Sequence, residues 1–207
     1  MLFDIAIGGA GSEQIIVPNI YICGGGNGLS FHFWLPIWIP SGKRIAARMQ
    51  GSDTLVNAYV TCYALSASMF GEFGFQIMDS LGTSTANSGG TAIDAGAVPN
   101  TKGSYAQITA STSAAYRGLI VMFGNNATNR TLVADYAMDI AIGAAASERI
   151  ILPDLELKAN SQDQVTPQVW GPFFFNIPSG VRLSARSSST TTDATERIVD
   201  VAILGLR

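Results

Sequence analysis

One block of sequence occurs twice, and it limits what this chain can fold into more than any other feature. Residues 3–20 read FDIAIGGAGSEQIIVPNI and residues 138–155 read MDIAIGAAASERIILPDL, identical at eleven of eighteen positions without a gap. The shared positions run from Asp4 to Gly8, through Ser12 and Glu13, to Pro18 in the first copy. In the second they run from Asp139 to Gly143, through Ser147 and Glu148, to Pro153. Self-similarity held in one register marks an internal repeat. A further block follows each copy. Ile39-Pro-Ser-Gly with Arg44 and Arg48 matches Ile177-Pro-Ser-Gly with Arg182 and Arg186, and Leu55 to Leu65 matches Ile198 to Leu206. The register drifts by a few residues between blocks, which places the insertions in loops.

The blocks read as strands, because apolar residues alternate or run in short groups broken by Gly, Ser, Asn and Thr. Leu2 to Gly8 is a strand, Gly8 to Ser12 a small-residue turn, and Glu13 to Cys23 a second strand. Proline offers no donor to a ladder, so Pro18 belongs at a bulge, a bend or an edge. Gly24 to Gly28 is a glycine turn. Phe31 to Ile39 places Phe31, Phe33, Leu35, Ile37 and Ile39 on one face and His32, Trp34, Pro36 and Trp38 on the other. Two readings stand for it: a strand buried on both sides, or one whose tryptophan side meets a partner subunit. Lys43 to Gln50 and Leu55 to Leu65 complete the first copy.

The middle, about 66–137, has no earlier counterpart. Strands are expected at Phe73 to Asp79, Tyr105 to Ala110 and Tyr116 to Gly124, the last apolar on both faces and therefore central. Ser80 to Gly103 is polar and small-residued, and is expected as a long surface loop or arm. The whole reads as an all-β chain of about a dozen strands: a tandem or interleaved antiparallel β-sandwich, jelly-roll-like, built from a duplicated half-unit. Residues 1–71 form an incomplete unit and 72–207 a complete one. A half-unit cannot cover its own apolar face, so it must pack on the rest of its chain or on a neighbour.

Composition narrows the function classes. Charged residues make up 13% of the chain and hydrophobic ones 47%, so surface is expected to be hidden in a large core or against further copies. A net charge of −3 gives no basic face for nucleic acid. No apolar run reaches the roughly 18 residues of a membrane span. The N-terminus has no cationic stretch ahead of its apolar residues and does not read as a secretory signal. Cys23 and Cys62 make no disulfide framework; they are expected as free buried thiols in a protein made in a reducing cytoplasm. The single histidine, His32, lies inside an apolar segment without a triad or metal partner. The recurring carboxylates Asp4/Asp139 and Glu13/Glu148 fit turn hydrogen bonds, or pairing with the recurring arginines, better than acid–base chemistry. No catalytic residue, metal site or cofactor is expected.

The repeated Asp-Ile-Ala-Ile-Gly…Ser-Glu…Ile-Ile-x-Pro block, the Ile-Pro-Ser-Gly-x-Arg block and the phrase Asn100-Thr-Lys-Gly-Ser-Tyr resemble virion structural proteins of tailed bacteriophages. The resemblance covers most of the chain. It implies β-sandwich or jelly-roll modules on a particle and no catalytic residues. The expected role is a capsid decoration or cement protein, a homo-oligomer stabilising the shell by contacts between subunits and with the major capsid protein or tail components. It would be assembled in the host cytoplasm and located in the virion. The alternative is a tail, baseplate or fibre module binding a host-surface glycan, with Trp34, Trp38 and Tyr21 as its platform. The interface is expected to involve Trp34, Trp38, His32, Arg44, Arg48, Arg182 and Arg186. Residues four apart on a strand share a face but stand about 13 Å apart, so each arginine needs its own acidic partner.

Overall fold

The computed structural model describes residues 1–22, 32–51, 59–65, 74–126, 131–160 and 165–207. Among these the chain is all-β, with antiparallel sheets and no helix. The strands are β1 (Leu2–Ile7), β2 (Gln14–Tyr21), β3 (Ile45–Gln50), β4 (Met78–Leu81), β5 (Thr91–Asp94), β6 (Ala106–Thr109) and β7 (Tyr116–Asn125). They continue with β8 (Ala134–Ile142), β9 (Arg149–Ala159), β10 (Val165–Thr166), β11 (Val169–Ile177), β12 (Leu183–Ser189) and β13 (Ile198–Leu206). They join in three sheets of order β2-β1-β3, β10-β9-β8-β12-β6 and β11-β7-β13-β4, with β5 also pairing β13.

The strand pair β7–β13 organises the packing. It runs unbroken from Val199↔Asn125 to Leu206↔Gly118. Side chains alternate across a strand, and here the two sets enter different clusters. Leu119, Val121, Phe123, Val199, Val201 and Ile203 join the core shared with β8, β9 and β12. Ile120, Met122, Ala202, Leu204 and Leu206 join Leu2, Phe3, Ile5, Ile16, Val17 and Ile20 of the first sheet. The double-sided apolar pattern of 116–124 thus has the central place expected of it, and the first three-stranded sheet covers apolar surface of its own chain.

The two repeated blocks fold alike over three strands. Orders β2-β1-β3 and β9-β8-β12 correspond. Ile5 faces Val17 and Ala47 where Ile140 faces Leu152 and Ala185. Both ladders slip at the same two points, flanking Ile5 in one and Ile140 in the other. Pro18 lies in the slip between Val17 and Ile20, at a bulge as its missing donor requires. Gly8 and Gly143 have φ of +132° and +117°, and an added Cβ would lie 2.8 Å and 2.9 Å from the carbonyl oxygens of Ser12 and Ser147. Only glycine fits such a corner.

Four expectations are corrected. First, the stretch 80–103 is not a surface arm: it carries the end of β4 and all of β5, with Ile93 and Ala95 in the core. Second, the described residues 32–39 form no regular strand. One parallel bridge, Ile37↔Phe75, ties them down, although their alternation holds: Phe33, Leu35, Ile37 and Ile39 pack inward while His32, Trp34 and Trp38 are exposed. The aligned residues of the other copy form β11, which has β7 as neighbour. Third, 59–65 of the expected closing strand pair with no described strand and are exposed, whereas β13 is buried. Fourth, Cys62 is exposed rather than buried. Cys23, Phe31, the glycine turn and 52–58 lie outside the described residues.

Candidate interaction surface

Every one of the four recurring arginines meets an acid on a neighbouring strand of its own sheet or the turn beside it. Arg44 pairs with Glu13 at 2.7 Å and Arg182 with Glu148 at 2.9 Å. Arg48 pairs with Asp4, and Arg186 with Asp139 at 2.9 Å. The cross-strand register brings them together: Asp4 lies opposite Arg48 and Asp139 opposite Arg186. The other carboxylate oxygen accepts a backbone N–H across the bulge, from Asn19 at 2.7 Å and from Asp154 at 3.0 Å. Asn19 and Asp154 reach that position with φ of 49° and 47°, a conformation that Asn and Asp tolerate better than other side chains. The arginines therefore work inside the chain as spokes of each three-stranded unit.

The two units differ in what covers them. Lys102 reaches over β8 and donates to the Ala137 carbonyl at 3.0 Å and to Asp139 at 2.9 Å, and pairs with Asp154 at 2.8 Å. The Tyr105 ring lies 4.7 Å from the Arg186 guanidinium, a cation–π distance. Burial opposes the charged form of Asp139, but Lys102, the Asp154 N–H and Arg186 outweigh it and hold the carboxyl below its ordinary range. No described residue plays the part of Lys102 over Asp4. A cleft of about 420 Å³ opens there instead, lined by Leu2, Asp4, Asn19, Arg48, Met49 and Gln50 among others. β3, the counterpart of β12, is an edge among the described strands, with five of its six residues exposed.

A second set of outward groups is aromatic. Trp34 and Trp38 are 48% and 51% exposed, Tyr59 97% and Tyr63 88%, too much surface for ordinary core residues. Trp38 is anchored through its backbone N–H, which donates to the Phe75 carbonyl at 2.8 Å. His32 is exposed beside Trp34 in sequence. Tyr21, proposed above as part of an aromatic platform, is instead buried: its hydroxyl reaches Asp200 at 3.3 Å.

Sequence reasoning missed Asp200. It sits inside β13 with only apolar neighbours in sequence, and is 5% exposed. It accepts from Asn126 Nδ2 at 2.8 Å, from the Gly90 N–H at 3.3 Å and from Tyr21. Burial pushes its carboxyl above the ordinary value of 3.8, and the three donors oppose that only in part. A carboxyl whose folded pKa is raised favours folding most when protonated, so its contribution is greatest below pH 3.8 and falls as pH rises through the raised value. In urea titrations across acid pH, Asp200→Asn should remove this descending limb. It should also lower stability at neutral pH by about 1–3 kcal/mol, since an amide places a donor against a donor. Parallel pH profiles for the two proteins would refute the assignment.

Among the described residues no group of three or more His, Cys, Asp or Glu side chains is placed to hold a metal ion. No protein family matches the chain, and neither a curated protein nor a solved structure matches it.

Proposed function

We propose that the protein is a non-enzymatic structural component of a tailed-phage virion, most concretely a capsid decoration protein that acts by burying apolar surface against neighbouring subunits. In this reading the two five-stranded sheets make a jelly-roll-like sandwich, the three-stranded block is one half-unit used twice, and the boundary near residues 71–72 separates its incomplete from its complete occurrence. The observation that carries the reading is the aromatic surface: Trp34, Trp38, Tyr59 and Tyr63 point outward from a chain that is only 13% charged. Aromatic residues are enriched where subunits meet, and these four stand about half exposed or more. All four fall within residues 1–71, the incomplete unit of this reading.

Burying two indoles removes about 300–500 Å² from water, worth several kcal/mol at roughly 25 cal/mol per Å². A Trp34→Ser, Trp38→Ser double variant should fold with the far-UV spectrum of the wild type. It should sediment as a smaller species, or fail to co-sediment with phage particles that retain the wild type. Unchanged sedimentation together with unchanged particle binding would end the proposal.

A further inference from the structure

The two three-stranded units present the same groups, yet one of them is filled and the other is open. On the filled unit, residues 100–109 run along β12. Asn100 N–H donates to Ser189 O and Gly103 N–H to Ser187 O, each at 2.8 Å. Lys102 enters between Asp139 and Asp154, Tyr105 covers Arg186, and β6 then pairs with β12 from Ala106↔Ala185 to Thr109↔Leu183. On the open unit Asp4 stands for Asp139, Asn19 for Asp154, Arg48 for Arg186 and β3 for β12. The cleft lies where Lys102 lies on the other unit. The two units differ in exposure residue by residue. The Arg48 side chain is 74% exposed against 30% for Arg186, and Ile45 is 37% exposed where Leu183 is 0%.

We propose that the edge of β3 and the cleft at Asp4 form a docking site for an extended, lysine-bearing segment of a separate polypeptide, bound as residues 100–109 are bound on β12. The segment supplies backbone pairing to the edge strand, a recurring way for a sheet to take a peptide, and an ammonium group for Asp4. Among the described residues Asp4 Oδ1 has one donor, the Asn19 N–H, where Asp139 Oδ1 has two. The chain's own 100–109 is already committed to β12, which is why the occupant is a separate polypeptide. Asn19 in place of Asp154 gives the incoming lysine one carboxylate instead of two. Binding is therefore weaker than on the filled unit, as suits a reversible partner. This inference rests on the correspondence of the two units, and its test needs no particle.

The probe is a fluorescent twelve-residue peptide with the sequence of residues 98–109, carrying a photo-crosslinking phenylalanine analogue at the position of Tyr105. Titrated against the full chain and followed by anisotropy, it should bind saturably and crosslink to β3. Replacing its lysine by norleucine should weaken binding by about tenfold, the scale of a lost charge-assisted hydrogen bond. Asp4→Asn should do the same. Asn19→Asp, which rebuilds the second carboxylate in a conformation that Asp154 already adopts, should strengthen binding by about threefold; this variant guards against simple misfolding of the first. Binding that ignores the lysine and both substitutions would overturn the proposal. So would crosslinks confined to β12, the absence of binding at millimolar peptide, or a β3 edge already occupied by a second copy of the chain.

Discussion

Asp139→Ala should destabilise the protein by about 3–5 kcal/mol, the usual result of removing one partner from a buried ionic network. Asp139 is 2% exposed. Its loss takes from Lys102 one of its two carboxylates, removes the acceptor from Arg186 and leaves the Asp154 N–H unpaired at the bulge. The same substitution in the other unit should cost less, about 1–2 kcal/mol, because Arg48 is largely solvated and no lysine depends on Asp4. Urea denaturation of the two variants side by side measures the difference. The acid limb gives a second reading. A carboxyl held below its ordinary value of 3.8 adds stability that is fully present above that value and is lost as pH falls through the lowered one. Wild type should therefore lose more stability in that window than Asp139→Ala, in which only the other lowered carboxylates, such as Asp94 and Asp193, still contribute. Equal costs for Asp4→Ala and Asp139→Ala would show that the cover over the second unit contributes nothing.

That inequality was invisible in the sequence. The two Asp-Ile-Ala-Ile-Gly blocks and the two arginine pairs announce the strands, the corner glycines and the acid–base spokes, because each depends on residues within one repeat and on a period of two. Lys102 comes from the unrepeated middle, and nothing local says that its ammonium lies over β8. The stretch 80–103 was misread for a related reason. Its small residues suggest a solvated arm, but Gly90 and Gly103 are small because backbone approaches them closely: an added Cβ would lie 2.8 Å from Val201 O and 2.6 Å from Asp94 O. Small residues serve close packing as readily as loose loops. For 32–39 and 59–65 the local signal was right and the context absent. Alternating apolar residues and a Tyr-Val-Thr-Cys-Tyr run favour strand only when a neighbouring strand is there to pair with. β11 and β13 have β7 between them; no described strand takes that place beside 32–39 and 59–65.

The seam between the first sheet and the β7–β13 pair yields the other large effect. Tyr21, at the end of β2, lies flat against Gly124 so closely that an added Cβ would overlap its hydroxyl and ring carbons. The same hydroxyl reaches Asp200, and the Tyr21 N–H points at the Met122 sulfur at 3.2 Å. Gly124→Ala should expel the ring, break its contact with Asp200 and open the cluster that joins the two sheets. About 2–3 kcal/mol is expected, the upper range for overpacking a close-packed interior. Tyr21→Ala alone should also cost about 3–5 kcal/mol through the cavity it leaves. The two effects should not add, because the added methyl enters space that the missing ring has vacated. In the double variant the Gly124→Ala step should cost less than about 1 kcal/mol, a coupling of the size expected for residues in direct contact. Independent, additive effects in that cycle would mean that Tyr21 does not rest on Gly124, and that the first sheet meets β7 and β13 in some other way.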